Sequence, residues 1–237
     1  MIMKTRFTFF TLLLVGLLTS TSIFAEEVVR KVATFSEVIL RIDAQVYIEQ
    51  GDEQRVEIGA KRATLDELIT DVKGRALIIR FPNKTFFRND FKPGPIEIHI
   101  TIPDIDKLSV SGSGNIFAPD VKSRIIDLAV SGSGDIVIDD LATKRVSATI
   151  SGSGNIIIKR GGNVANELKA AISGSGNIKA KNFEATNIVV HTAGSGSCFI
   201  TSNGSIKARI AGSGNVNYKG NPSIDSSVAG SGRVREL

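Results

Sequence analysis

Histidine and cysteine are the side chains best suited to acid–base chemistry, nucleophilic attack or metal binding, and this chain has few of them. The 237-residue sequence contains two histidines, His99 and His191, and one cysteine, Cys198. No His-Cys or His-x-x-x-His spacing occurs, so these residue types do not indicate a zinc site. A lone cysteine also excludes an intrachain disulfide. We therefore predict neither a metal centre nor a bound cofactor.

His191 and Arg209 are candidates for surface contact, because both fall in one outward column of a repeat described below. An outward histidine can act as a general acid or base only when a partner is positioned beside it. The same column otherwise contains Ser, Ala and Thr, whereas polysaccharide lyases need clustered Asp, Lys and Arg. We predict a non-enzymatic protein. A carbohydrate-active enzyme that uses His191 and Arg209 is the alternative.

A glycine-rich phrase occurs seven times: Ser-Gly-Ser-Gly-Asn-Ile or a close variant at 111, 131, 151 and 173, and Ala-Gly-Ser-Gly at 193, 211 and 229. No copy has the third glycine or the lysine that a dinucleotide or phosphate loop requires. Such short units cannot bury their own apolar face and must stack on one another. The repeat therefore predicts a solenoid.

Apolar residues alternate with polar ones on both sides of each glycine phrase, as in half-buried strands. Each unit then forms a strand, a tight corner, a second strand and a variable return. We predict an all-β fold, a right-handed parallel β-helix of about seven coils. The corners need positive φ or close backbone approach, which glycine tolerates. The predicted corner glycines are Gly112, Gly114, Gly132, Gly134, Gly152, Gly154, Gly174, Gly176, Gly194, Gly196, Gly212, Gly214, Gly230 and Gly232.

The position after each corner is mostly an amide and could form a polar ligand-binding stripe. Stacked amides in parallel coils also bond to one another and to turn backbone, and we favour this structural role. The candidate ladder residues are Asn115, Asn155, Asn177 and Asn215, and Asp135 interrupts the series once.

The segment before the repeats lacks the glycine phrase, yet its apolar residues alternate. The spacing predicts strands over 38–42, 45–49, 55–58, 76–81 and 96–102. It predicts one short helix over 64–72, with Thr64 as N-cap, Glu67 completing a capping box and Gly74 beyond its end. We expect this N-terminal layer to cover the first coil, whose edge would otherwise be open.

A Pro-bounded stretch between two of these strands interleaves phenylalanines with basic residues. Its residues Phe86, Phe87 and Arg88 are candidates for contact with a membrane surface or a glycan. The alternative is that the rings pack onto the side or end of the solenoid, which we favour.

Residues 1–25 combine Lys4 and Arg6, an apolar run and a polar stretch ending at Ala25. This pattern predicts a signal peptide, and the apolar run is shorter than a spanning helix needs. We expect export to the periplasm or the medium, including the cell surface, with no membrane span after cleavage. The formal net charge of +5 comes with no nucleic-acid-binding motif, so nucleic acid is not expected as a partner.

Three features of the sequence resemble a bacterial family, the putative auto-transporter adhesin, head GIN domain. They are the glycine repeats, the segment from Phe35-Ser36-Glu37-Val38 to Leu77-Ile78-Ile79, and the junction Ile102-Pro103-Asp104. The resemblance implies a right-handed β-helix shaped like pectin lyases without their catalytic residues, and a role in adhesion. It divides the mature chain into a capping part, 26–107, and the repeats, 108–237.

These observations predict an exported β-helix that binds or scaffolds at the cell envelope through a sheet face. A glycan or an envelope protein is the expected partner, and sheet edges offer a route to oligomers. A purely structural envelope protein is a further alternative.

Overall fold

The computed structural model describes residues 26–82 and 91–237. In these ranges nearly all regular structure is β, and one hydrogen-bonded sheet joins all 18 strands. The single described helix, α1 (Arg62–Glu67), is far too short to cross a membrane. The strands before the repeats are β1 (Glu26–Val29), β2 (Glu37–Leu40), β3 (Gln45–Gln50), β4 (Arg55–Ala60), β5 (Ile69–Lys73), β6 (Ala76–Arg80) and β7 (Glu97–Ile102).

The strands of the repeat region follow one another with few interruptions. They are β8 (Lys107–Gly112), β9 (Asn115–Gly132), β10 (Ile136–Gly152), β11 (Asn155–Gly161), β12 (Ala165–Gly174), β13 (Asn177–Gly194), β14 (Ser197–Thr201), β15 (Ser205–Gly212), β16 (Asn215–Lys219), β17 (Ser223–Ala229) and β18 (Arg233–Glu236).

The repeats stack in parallel and in register. Gly112 pairs with Gly132, Gly132 with Gly152, and Gly152 with Gly174. The pairing continues in the same way to Ala229 in β17. Seven corners separated by about six turns of chain thus form a β-solenoid, which confirms the predicted all-β coil architecture. The right-handed sense stays a prediction.

Inward side chains from successive turns form the core. Ile116, Ile136 and Ile156 stack in one fully buried column, and alternating residues of every long strand are buried with them. Burying an isoleucine or valine side chain contributes about 1.5–3 kcal/mol. The alternation seen in the sequence therefore holds the solenoid together in the absence of disulfides.

The corner at Gly132–Gly134 shows why glycine is required there. Gly132 has φ of 131°, in the region that L side chains avoid. Gly134 has a different constraint, since a Cβ on it would lie 1.9 Å from the carbonyl oxygen of Gly114 in the turn below. The amides of Ser133 and Gly134 both donate to the Gly112 carbonyl, at 2.9 and 3.0 Å. Each corner is thus seated directly on the backbone of its neighbour.

The N-terminal segment continues the solenoid with turns that lack the glycine phrase. Strand β2 pairs in parallel with β8, and β3 pairs in parallel with β9, so β2 and β3 make one further turn. Strands β6 and β7 pair with β2 and β3 on the other side. Antiparallel strands β4 and β5 then cover β7 and β6, and β1 pairs with β4. The first glycine-cornered turn is therefore not an end of the sheet.

The predicted strands of this segment match β2, β3, β4, β6 and β7 to within two residues at each end. The predicted helix over 64–72 is wrong in its extent. The helix begins at Arg62 after Lys61, and residues Ile69–Lys73 form β5 instead. Thr64 lies inside the helix, buried, and its hydroxyl donates to the Pro93 carbonyl at 2.6 Å. A tertiary contact, rather than a cap, explains the threonine.

The two ends of the solenoid differ in how well they are covered. The inward-column residues Ile224 and Val228 of β17 remain 42% and 41% exposed, because no described strand pairs with the far side of β17. Their counterparts Ile206 and Ile210 one turn earlier are 1% and 3% exposed. The C-terminal turn therefore presents an open edge.

Candidate functional site

Two faces of the solenoid carry outward side chains on either side of the corners. The leading face belongs to the strands that precede each corner, and its central column is Ser109, Ala129, Thr149, Ala171, His191, Arg209 and Ser227. The trailing face belongs to the strands that follow, and its central column is His99, Tyr47, Phe117, Val137, Ile157, Lys179, Phe199, Asn217 and Arg235.

The leading face has a shallow groove of about 410 Å³ lined largely by alanine and serine, with His191 and Arg209 within it. The structure brings these two predicted residues into direct register. Arg209 is held by Asp225, with Nη1–Oδ1 and Nη2–Oδ2 distances of 3.2 and 2.9 Å. The hydrogen bond from Arg209 lowers the pKa of the Asp225 carboxyl below its ordinary value. The guanidinium is therefore already engaged.

His191 is exposed and has no carboxylate at the positions paired with it. Its neighbours across the sheet are Ala171 and Arg209. General acid–base catalysis needs a partner that sets the protonation state and orientation of the imidazole. The geometry supports contact with a ligand at this position better than proton transfer.

Three flat rings stack on the trailing face near its N-terminal end. The Tyr47 ring lies 5.1 Å from the His99 ring and 5.4 Å from the Phe117 ring, with interplanar angles of 16° and 21°. Glu97 Oε1 lies 3.1 Å from Nε2 of His99. The stack covers three neighbouring turns and gives this end of the face an aromatic surface.

Further along the trailing face is a second groove, of about 340 Å³. We call it the basic groove, and it is lined by Ile157, Ile158, Lys159, Lys179, Lys181, Asn182 and Phe199. Ile157, Lys179 and Phe199 occupy the same column on successive turns. Lys159 is paired with Asp139 at 2.8 Å. Within residues 26–82 and 91–237, neither Lys179 nor Lys181 forms an ion pair.

The polar positions after the corners form a hydrogen-bonded ladder. Asn177 Nδ2 donates to Asn155 Oδ1 at 3.1 Å, and Asn155 Nδ2 donates to Asp135 Oδ1 at 2.9 Å. Asn115 Oδ1 accepts from the Asp135 amide at 2.9 Å, and Asn115 Nδ2 donates to Gln45 Oε1 at 3.3 Å. The carboxylate of Asp135 thus accepts a hydrogen bond from the next turn, as the side-chain oxygen of an asparagine would. These side chains are committed to one another and to backbone.

Asn215, the remaining candidate of the ladder, sits beyond Ser197, whose amide donates to Asn177 Oδ1 at 3.1 Å. It pairs through its backbone with Ser197 and with Arg233 of the last turn. The side-chain ladder that the structure displays therefore runs from Gln45 to Ser197.

Cys198 is inside the solenoid, in the column of Ile178 and Val216. Its side chain is fully buried, and burial raises the pKa of the thiol to about 12. A thiol in this state is a poor nucleophile at neutral pH, because the thiolate is the reactive form. In the ranges that the structure covers, no group of three or more His, Cys, Asp or Glu side chains is placed to hold a metal ion.

Phe86, Phe87 and Arg88, like the predicted signal peptide 1–25, lie outside the described residues. The adjoining Phe91 is half-buried and makes an edge-to-face contact with Phe81, with ring centroids 5.4 Å apart.

Sequence reasoning missed the basic groove. Its signal was present in the repeat, since Phe117, Val137, Ile157 and Phe199 each come directly after a residue of the buried column that contains Ile116, Ile136, Ile156 and Cys198. Aligning that outward column would have shown apolar residues where a solvated strand carries polar ones.

The stacked corners and in-register columns define a β-solenoid domain with a groove on each of two outer faces. The chain belongs to the family described as putative auto-transporter adhesin, head GIN domain, whose model matches residues 34–222. A comparison with curated proteins found no match.

Three solved structures share this fold. A putative adhesin from Bacteroides fragilis has 22% identity and a TM-score of 0.82, covering 91% of this chain and 98% of its own. A protein from Parabacteroides distasonis described as a putative lipid binding protein has 23% identity and a TM-score of 0.74, with the same coverage. A putative adhesin from Parabacteroides merdae has 19% identity and a TM-score of 0.68, covering 91% of this chain and 97% of its own. These TM-scores establish a shared fold.

Proposed function

We propose that this chain is an exported, non-enzymatic module that binds or scaffolds at the bacterial cell envelope. The observation that carries the proposal is the distribution of side chains. The glycines and inward apolar residues are used in corners and core, while the varied outward columns, together with the Ser or Ala that begins each glycine phrase, line two open grooves. Extended faces of this kind are the binding surfaces of solenoid proteins. In this arrangement residues 26–107 cap the N-terminal end of repeats 108–237.

Membership of an adhesin family supports binding to a glycan or an envelope protein. The Parabacteroides distasonis relative, described as a putative lipid binding protein, favours a lipid as a second candidate class. Export rests on the signal-peptide pattern of residues 1–25. Fractionation of cells that express the full chain should place the processed protein outside the cytoplasm, in the periplasm, on the surface or in the medium.

A screen of the mature protein against glycans, lipids and envelope extracts tests the binding role. We expect retention of a ligand without turnover. The rival class, a carbohydrate-active enzyme, requires glycan cleavage that is lost in His191→Ala and retained in Ser147→Ala on the same face. Such cleavage would overturn the proposal. A purely structural role is favoured if no ligand of any class is retained.

The open C-terminal edge supports the proposed route to oligomers. Strand β17 is self-complementary, because antiparallel pairing about Ser226 places Ile224 opposite Val228 of a second copy. Burying these side chains would cover surface that the single chain leaves exposed. We expect a concentration-dependent dimer in analytical ultracentrifugation, and Ser226→Pro, which removes a backbone donor from the edge, should reduce it.

A further inference from the structure

Apolar side chains on the trailing face occupy positions that point away from the core. Ile157 and Phe199 are both half-buried although they alternate with the buried residues of their strands. Outward positions of a solvated sheet are normally polar, as most are in the central column of the leading face. Phe117 and Val137 extend the same apolar column toward the aromatic stack. A partly exposed apolar strip of this length on an outward face indicates a surface that contacts something other than water.

Positive charge accumulates where this strip forms a groove. Lys179 stands between Ile157 and Phe199 in the column, and Lys181 and Lys159 line the same groove. Lys159 and Lys181 lie on neighbouring turns, about 4.8 Å apart, while Lys179 and Lys181 are alternate residues of β13, about 7 Å apart along the strand, so the positive charges repel one another. Asp139 compensates Lys159, whereas no described carboxylate compensates Lys179 or Lys181. An anion bound between the two lysines would relieve this repulsion.

The lysine side chain suits a groove that is apolar below and charged above. Its methylene stem can cover hydrophobic surface while its ammonium group stays in water. A ligand that matches the basic groove must therefore carry an alkyl part against Ile157 and Phe199 and one anionic group at the rim. The volume of about 340 Å³ is near the lower end of small-molecule sites.

We propose that the basic groove binds a single-chain anionic amphiphile, with its anionic group between Lys179 and Lys181 and its alkyl chain lying against Ile157, Phe199 and the methylene stem of Lys179 that separates them. The occupant is a monomeric amphiphile, because the lining residues enclose a concave groove rather than a flat platform for a bilayer. This site deepens the proposed envelope-binding role by naming a ligand class. Binding of a glycan as the main partner elsewhere on the protein is compatible with this amphiphile site.

Calorimetric titration of the mature protein with decanoate below its critical micelle concentration tests the site. We expect one bound decanoate per chain, an affinity that weakens with added salt, and binding at least tenfold weaker for the neutral decanol and for inorganic phosphate. The charge arm is the double variant Lys179→Gln/Lys181→Gln, which should bind decanoate about tenfold more weakly. Its matched control, Lys144→Gln/Lys207→Gln, removes the same charge elsewhere and should bind normally.

The apolar arm is Phe199→Ala, which should also weaken binding about tenfold. Phe117→Ala is its control, since Phe117 lies in the same column outside the groove. Because all these side chains are outward, circular dichroism should show every variant folded. The site is overturned if decanoate does not bind, if the groove variants bind as well as their controls, or if the protein binds only vesicles of anionic phospholipid. Glycan retention in the screen described above is independent of each of these results.

Discussion

The solenoid has two kinds of corner, and the difference between them explains the glycine phrase. At Gly132–Gly134, two glycines flank a serine. At the equivalent corner between β2 and β3, Ile42 and Ala44 occupy the glycine positions, as the pairings Leu40–Val110 and Gln45–Asn115 show. Ile42 and Ala44 are 5% and 3% exposed, so their side chains pack inside the solenoid. A corner in this fold can therefore be built without glycine.

The neighbouring turn determines which kind of corner is needed. Gly134 stacks on the corner that contains Gly114, whose carbonyl oxygen occupies the space a Cβ would need. Ala44 has a different neighbour, since the described residues next to this corner on its other side are Ile79 and Ile96, whose carbonyls accept from the Arg41 and Gln45 amides, and neither belongs to a Gly-Ser-Gly corner. Glycine is thus required where a corner rests on the backbone of the corner before it, including at Gly114, whose Cβ would lie 2.4 Å from the Ile42 carbonyl oxygen of the glycine-free corner. The repeated corner glycines are therefore explained by the stacking of corners and do not indicate a ligand site.

The largest loss of stability is expected from adding one methyl group to a stacked corner. Gly134→Ala places a Cβ where the Gly114 carbonyl oxygen lies, and backbone must move to admit it. We expect a loss of about 3 kcal/mol or more in the free energy of unfolding, measured by urea denaturation. Ser133→Ala, at the same corner, should lose less than about 0.5 kcal/mol.

The reverse change at the glycine-free corner completes this test. Ala44→Gly should lose only about 1–2 kcal/mol, from a buried methyl group and added chain entropy. If Gly134→Ala proves milder than Ala44→Gly, stacking does not explain the glycines.

A moderate loss in the free energy of unfolding is expected when a side chain of the ladder beside the corners is removed. Asn155 both donates to Asp135 and accepts from Asn177, so Asn155→Ala should lose about 1–2 kcal/mol in thermal or urea unfolding. Gln45 stands at the same place beside the glycine-free corner and shares one longer bond, of 3.3 Å, with Asn115. Gln45→Ala should lose about 0.5 kcal/mol. Equal losses at the two positions would contradict a ladder that is stronger along the stacked corners.

The smallest effect on the free energy of unfolding at neutral pH is expected at the inward position that follows each corner. This position is Val46 in the glycine-free turn and Cys198 in one of the stacked turns. Burial raises the pKa of the Cys198 thiol from 9.0 to about 12, so folding favours the neutral thiol. This contribution is fully present below pH 9 and is lost as the pH rises from 9 toward 12. The stability of the wild-type chain should therefore fall more steeply over that range than that of Cys198→Val.

Thiol labelling gives an independent check on Cys198. A thiol reagent should not modify the folded protein at pH 8 and should modify it rapidly in urea. Rapid labelling without denaturant would show that the interior of the solenoid opens at this turn.

The repeat sequence predicted the stacked turns well because each one carries the same local signal. Gly112 and Gly132 mark their corners, and the isoleucines around them mark the inward columns. The turn formed by β2 and β3 escaped, because its pairing partners in β8 and β9 lie about 70 residues away and Ala44 gives no turn signal. The sequence prediction started the helix too late, because Thr64 resembles an N-cap. In the structure the Thr64 hydroxyl instead donates to the carbonyl of Pro93, which is distant in sequence.

The basic groove was missed as a site because its lining residues come from different turns. Ile157, Lys179 and Phe199 become neighbours only through the register of three strands. His191 and Arg209 drew attention by residue type, yet Arg209 is engaged by Asp225. Chemistry that depends on register is visible in the sequence only after the repeats have been aligned column by column.

Stability and decanoate binding, measured together on two variants, test most directly the claim that corner glycines build the scaffold while the outward columns bind. We expect Gly134→Ala to unfold at much lower urea concentration while its folded fraction binds decanoate as the wild type does. Lys179→Gln/Lys181→Gln should keep wild-type stability and lose about tenfold in affinity. A corner variant that keeps its stability but loses binding, together with a groove variant that binds normally, would contradict the account.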